Sequence, residues 1–85
     1  MDIELINHMI TDMKQTKEKA RLGHKDHIAQ IEERLDDKEL NNEETMTLIG
    51  NLIQAQIDYE DTVKLYDRRI KVAGEIKGWY ENKNE

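Results

Sequence analysis

The stretch GHKDH, Gly23 to His27, holds the residues best suited to chemistry. On a helix, His24 and His27 lie three apart on one face, a spacing that two metal ligands can use, and Asp26 stands beside them. A dinuclear helical site, however, draws carboxylate-x-x-His units from more than one helix, and the chain contains no Glu-x-x-His. The sequence therefore predicts no metal site and no cofactor. The two imidazoles read instead as a polar layer in a helical seam, with Gln56 and Tyr59 as neighbours. Such a layer sets register at some cost in stability, as a buried Asn does in coiled coils. It would also make association respond to pH where imidazoles titrate.

Covalent catalysis has little to work with. The chain has neither Cys nor Ser, so a nucleophile would be Thr, Lys or a carboxylate, and none has a base at a recognisable spacing. A Gly-rich phosphate loop is missing as well. The expectation is a protein that is not an enzyme.

Basic residues gather twice, at Lys14, Lys17, Lys19, Arg21 and Lys25 and again at Lys64, Arg68, Arg69 and Lys71. Across the chain, however, 13 basic residues stand against 19 acidic ones, a net charge of −6. That balance argues against direct binding of nucleic acid or anionic lipid. A denser acidic group, Glu32, Glu33, Asp36, Asp37, Glu39, Glu43 and Glu44, meets only Arg34 and Lys38. Read plainly, it is a solvated tip that aids solubility. Read functionally, it imitates phosphate spacing and competes for a basic groove on a nucleic-acid-binding protein.

Helices must position these groups. Charged residues at 38% beside hydrophobic ones at 36% would suit a disordered chain, but Pro is absent and the apolar pattern is strong, which disorder lacks. Ile3, Ile6, Ile10, Met13, Lys17, Ala20, His24, His27 and Ile31 follow alternating steps of three and four, the spacing of one helical seam. This predicts helix one over about residues 2–37. Ile49, Leu52, Gln56, Tyr59, Val63, Tyr66, Ile70, Ala73, Lys77 and Tyr80 repeat the steps and predict helix two over about residues 42–82. Asn41 or Asn42 would cap it, with Glu43 and Glu44 in the first turn, where the helix dipole favours negative charge.

A turn as short as residues 38–41 forces the helices antiparallel. The expected fold is all-α: a coiled-coil-like two-helix hairpin forming a single domain over residues 1–85. A reversal centred near residue 39 puts Lys14 to Lys25 level with Asp58, Glu60 and Asp61, so opposite charges would favour this alignment. Glycine costs about 1 kcal/mol in a helix interior, which makes Gly23 a candidate break in helix one. Gly74 is a candidate break in helix two, after which EIKGWYENK would fold back as a third helix.

The hairpin looks unfinished. In VKLYDRRIKVAGEIKGWY, Val63 to Tyr80, apolar side chains form two bands spanning about half the circumference, against the ~100° arc that one neighbour needs. Helix one is thin at its centre, where Lys17, Ala20, His24 and His27 occupy the seam, and it cannot cover both bands. The second band therefore predicts an interface made by Leu65, Val72, Ile76, Trp79 and Tyr80, with Leu5 and Met9 widening it from helix one. Two copies joined there make a dimeric four-helix bundle.

The start, MDIELINHMI, is acidic where a secretory signal is basic, and no apolar run approaches the ~18 residues of a membrane span. The chain reads as cytoplasmic and unprocessed. Its expected function is that of a non-enzymatic protein-protein interaction module, a small helical adapter or regulator that self-associates through helix two and meets a protein partner. The alternative is a small acidic inhibitor, of the kind encoded by phages or mobile elements, that blocks the nucleic-acid-binding site of a target protein.

Overall fold

Two helices, α1 over Ile3–Leu35 and α2 over Asn42–Lys83, pack against each other as an antiparallel hairpin. The structure is a computed structural model that describes residues 2–83; Met1, Asn84 and Glu85 of the expected domain lie outside the described residues. The hairpin is a rod of 67 × 15 × 13 Å.

Both helix starts follow from side chains that compete for backbone donors. The Asp2 carboxylate accepts the Glu4 N–H at 3.1 Å. Asn41 caps α2: its Oδ1 accepts the Glu44 N–H at 2.8 Å and its carbonyl accepts the Thr45 N–H at 3.0 Å. Helix α1 stops at Leu35, two residues short of the expected end. There the N–H groups of Asp36 and Asp37 donate to the Glu33 and Arg34 carbonyls in tighter turns. The Asp37 carboxylate then accepts the Glu39 N–H at 3.0 Å, the kind of local bond through which Asp competes with helix continuation.

Neither helix breaks at a glycine. Helix α1 runs through Gly23, and α2 runs through Gly50, Gly74 and Gly78, so EIKGWYENK continues α2 and does not fold back over the hairpin. About 1 kcal/mol per glycine is a smaller cost than giving up a hydrogen-bonded turn and nucleating a new helix.

The seam departs from the expected pattern at its middle. Buried or half-buried positions on α1 run through Ile3, Ile6, Ile10, Met13, Lys17, Ala20 and His24, as the spacing predicts, and then through Ile28, Ile31 and Leu35. His27 is exposed. On α2 they run through Leu48, Leu52, Ala55, Tyr59, Val63, Tyr66, Ile70, Ala73, Lys77 and Tyr80, while Ile49 and Gln56 are exposed. Each helix thus takes two consecutive steps of four, Ala20 to His24 to Ile28 and Ala55 to Tyr59 to Val63. A strict seven-residue repeat drifts about 20° per heptad on a 3.6-residue helix, and an extra step of four restores the facing without tighter supercoiling.

The alignment also differs from the one expected. Lys17 Nζ pairs with Asp67 Oδ1 at 2.5 Å, whereas a reversal centred near residue 39 would set Lys17 level with Asp61. With Lys17 beside Asp67, the start of α2 lies beyond the end of α1, and the linker Asp36–Asn41 spans that offset. Asp58 and Glu60 are used along their own helix, accepting from the amides of Gln54 at 2.8 Å and Gln56 at 3.0 Å. Among the described residues, Lys17–Asp67 is the ion pair that crosses between the helices.

Burial is sparse: among the described residues only Ile6, Ile31 and Leu48 are buried hydrophobics. No described helix is long and apolar enough to cross a membrane.

Candidate functional site

The polar layer forms around His24 alone. Its ring stacks on Tyr59 with centroids 4.2 Å apart and planes 3° from parallel, and its Nε2 lies 2.9 Å from Gln56 Oε1. Because that amide oxygen only accepts, the contact places the proton on His24 Nε2. Gln56 passes the chain on by donating to Glu60. His27 shares a shallow groove with His24, Asp58 and Thr62 but sits off the seam, since Ile28 takes the inward position. Among the described residues, no three His, Cys, Asp or Glu side chains converge as a metal site would require.

The larger feature lies at the open end. Met9 and Met13 of α1 and Leu65, Val72, Ala73 and Ile76 of α2 line one apolar groove, with Arg68 and Arg69 at its edge. The structure therefore brings together Met9, Leu65, Val72 and Ile76 of the residues picked out by pattern. Leu5 and Trp79, 51% and 66% exposed, do not line the groove, but each stands about one helical turn from a residue that does, Met9 and Ile76. Tyr80 does not belong with them, because it is half-buried at a seam position. The pattern missed Met13 as a groove residue, since its place in the seam series hid its second exposure, and it missed the two arginines. The Arg69 guanidinium lies over the Tyr66 ring, 5.3 Å from its centroid, which fixes the charge beside the groove.

A second apolar row, which the pattern had folded into the seam through Ile49, occupies the tip half of α2. Met46, Ile49, Ile53 and Ile57 are all exposed, and Ile53 and Ile57 line a shallow groove with Ile28, Leu52 and Gln56. At about 100° per residue, this row lies on the opposite flank of the seam from Leu65, Val72, Ile76 and Trp79. Its steps of three, four and four carry the signal that would have separated it from the seam.

No protein-family model, curated protein or solved structure matches this chain. The reading of its surface therefore rests on its own chemistry.

The seven acidic tip residues, Glu32, Glu33, Asp36, Asp37, Glu39, Glu43 and Glu44, are all exposed, and among the described residues none makes an ion pair. The basic stretch of α1 is partly neutralised: Lys17 pairs with Asp67, and Arg21 grips Glu18 with Nε and Nη2 at 2.6–3.1 Å. That guanidinium holds the Glu18 carboxyl below its ordinary range, and the carboxylate raises Arg21 in turn.

Proposed function

We propose that this chain is a non-enzymatic interaction module, a small cytoplasmic helical adapter or regulator. It self-associates through α2 into a dimeric four-helix bundle and meets a protein partner through the surfaces left free. The observation that carries the reading is the open-end face, where Leu5, Met9, Leu65, Val72 and Trp79 remain between 43% and 66% exposed in the isolated hairpin. At about 25 cal/mol per Å² of apolar surface removed from water, covering five such side chains per copy is comparable to the whole stability of a small domain, about 5–15 kcal/mol. Monomeric soluble proteins rarely leave so continuous an apolar patch in water.

The test is molar mass in solution at micromolar concentration, for the natural chain and for Trp79→Ala. The natural chain sediments as a dimer, and the variant shifts toward the monomer. A natural chain that stays monomeric up to high micromolar concentration refutes the reading.

The unpaired acidic tip favours a second reading, in which the chain occupies the basic groove of a nucleic-acid-binding protein. Salt separates the two: tip binding weakens steeply as ionic strength rises, and contact through the apolar face does not. Replacing Glu39, Glu43 and Glu44 with Gln abolishes tip binding and spares the apolar contact.

A further inference from the structure

We infer that the second copy docks antiparallel, α2 against α2, about a two-fold axis beside Val72, with Arg68 of each copy paired to Glu75 of the other. This rests on the open-end face being the self-association surface.

The exposed apolar residues of this half of α2 are spaced symmetrically. Leu65, Val72 and Trp79, exposed at 45%, 43% and 66%, fall at seven-residue intervals, so they form one stripe of the kind that two helices share. Val72 is its midpoint. An antiparallel partner centred there sets Leu65 against Trp79, a medium side chain against a large one, and sets Val72 against its own copy. A parallel partner would stack Trp79 on Trp79 and leave Leu65 facing Leu65.

Charge decides between these two directions. Arg68 and Glu75 are themselves seven apart, each three residues beyond a stripe position, so they lie on the same flank of the stripe. Both are exposed, and among the described residues neither makes an ion pair. In a parallel dimer the flank that carries Arg68 and Glu75 lies on opposite sides of the seam in the two copies, so these side chains do not meet and no opposite-charge contact forms between them. In the antiparallel dimer the same side chains make two reciprocal opposite-charge contacts, because residues on the same flank meet across an antiparallel pair. The arrangement is self-complementary, as a two-fold interface requires. It also brings Met9 and Met13 of both copies over the same groove, since these residues share its floor with Val72 and Ile76.

The full chain has no Cys, which allows a direct test with variants at exposed positions. Leu65→Cys and Trp79→Cys are prepared separately, mixed in equal amounts and oxidised gently. The expected product is the mixed disulfide, which joins position 65 of one copy to position 79 of the other. In parallel, Arg68→Glu and Glu75→Arg are each expected to dimerise about tenfold more weakly than the natural chain. Their equimolar mixture forms a heterodimer, because one chain then presents two acids to the two bases of the other. The double variant Arg68→Glu/Glu75→Arg regains the natural dissociation constant. A stable dimer that yields only like-with-like disulfides, or that ignores the charge exchange, overturns the antiparallel pairing while leaving self-association intact. A natural chain that is monomeric by molar mass overturns both.

Discussion

His24 lies flat against Tyr59, 4.2 Å between ring centroids, at the point where both helices take their extra step of four. A stacked pair of this kind contributes about 0.5–1.5 kcal/mol beyond the area it buries. His24→Ala and Tyr59→Ala should each lower the midpoint of urea unfolding. In a double-mutant cycle the pair should show a coupling within that range. A coupling near zero would mean that the two rings are neighbours without energetic consequence.

Leu48 and Ile49 are adjacent and similar in size, yet Leu48 is buried and Ile49 is 45% exposed. Truncating Leu48 to Ala should cost about 2–5 kcal/mol, and truncating Ile49 should cost well under half of that. Chemical denaturation of the two variants checks the order. The reverse order would return the seam to the strict heptad pattern.

Lys17 and Asp67 fix the alignment of the two helices more visibly than they stabilise it. Their side chains are 38% and 53% exposed, a setting in which an ion pair contributes about 0.2–1 kcal/mol. Lys17→Asp and Asp67→Lys should each lose a fraction of a kcal/mol, and the exchanged double variant should recover it. If Lys17→Asp is instead rescued by a base at position 61, the alignment is the one centred near residue 39.

The Glu18–Arg21 pair gives a pH dependence of known sign. Arg21 holds the Glu18 carboxyl below its ordinary value by hydrogen bonding. The carboxylate therefore binds protons less readily in the folded helix than in the unfolded chain. Its contribution is present above the ordinary carboxylate pKa and is lost as the pH falls through the lowered one. The stability difference between the natural chain and Glu18→Gln should shrink as thermal melts are taken from neutral pH down to acid pH. It should also shrink with added salt, because the pair lies at the surface.

Much of this fold was legible as pattern. A cap at Asn41 or Asn42, the antiparallel direction and the two long helices follow from apolar spacing, from Asn with acids behind it, and from a linker too short for any other path; the bond from Glu44 N–H singles out Asn41. The middle of the seam was not legible, because a three-four alternation extended from Ile3 places His27 inward. Only contact with α2 shows that Ile28 takes that place. The alignment was hidden for a related reason. Counting outward from a turn assumes that both helices start level, whereas the linker Asp36–Asn41 carries α2 past the end of α1. At the open end, the apolar residues left outside the seam were readable because Leu65, Val72, Ile76 and Trp79 fall outside any single seam. Tyr80 was misplaced among them, since its position in the series belongs to the seam itself.

The two exposed rows of α2 sit half a rod apart and on opposite flanks. One lid cannot shelter both: an assembly that dries Val72 and Ile76 leaves Ile53 and Ile57 wet. Were two copies to join through the first row, the stickiness of the molecule would not be exhausted, and each far end of such a pair would still offer a greasy side. Crowding or high salt would then push growth past two chains, and light scattering that keeps climbing beyond the mass of a pair would be the outward sign of this offset.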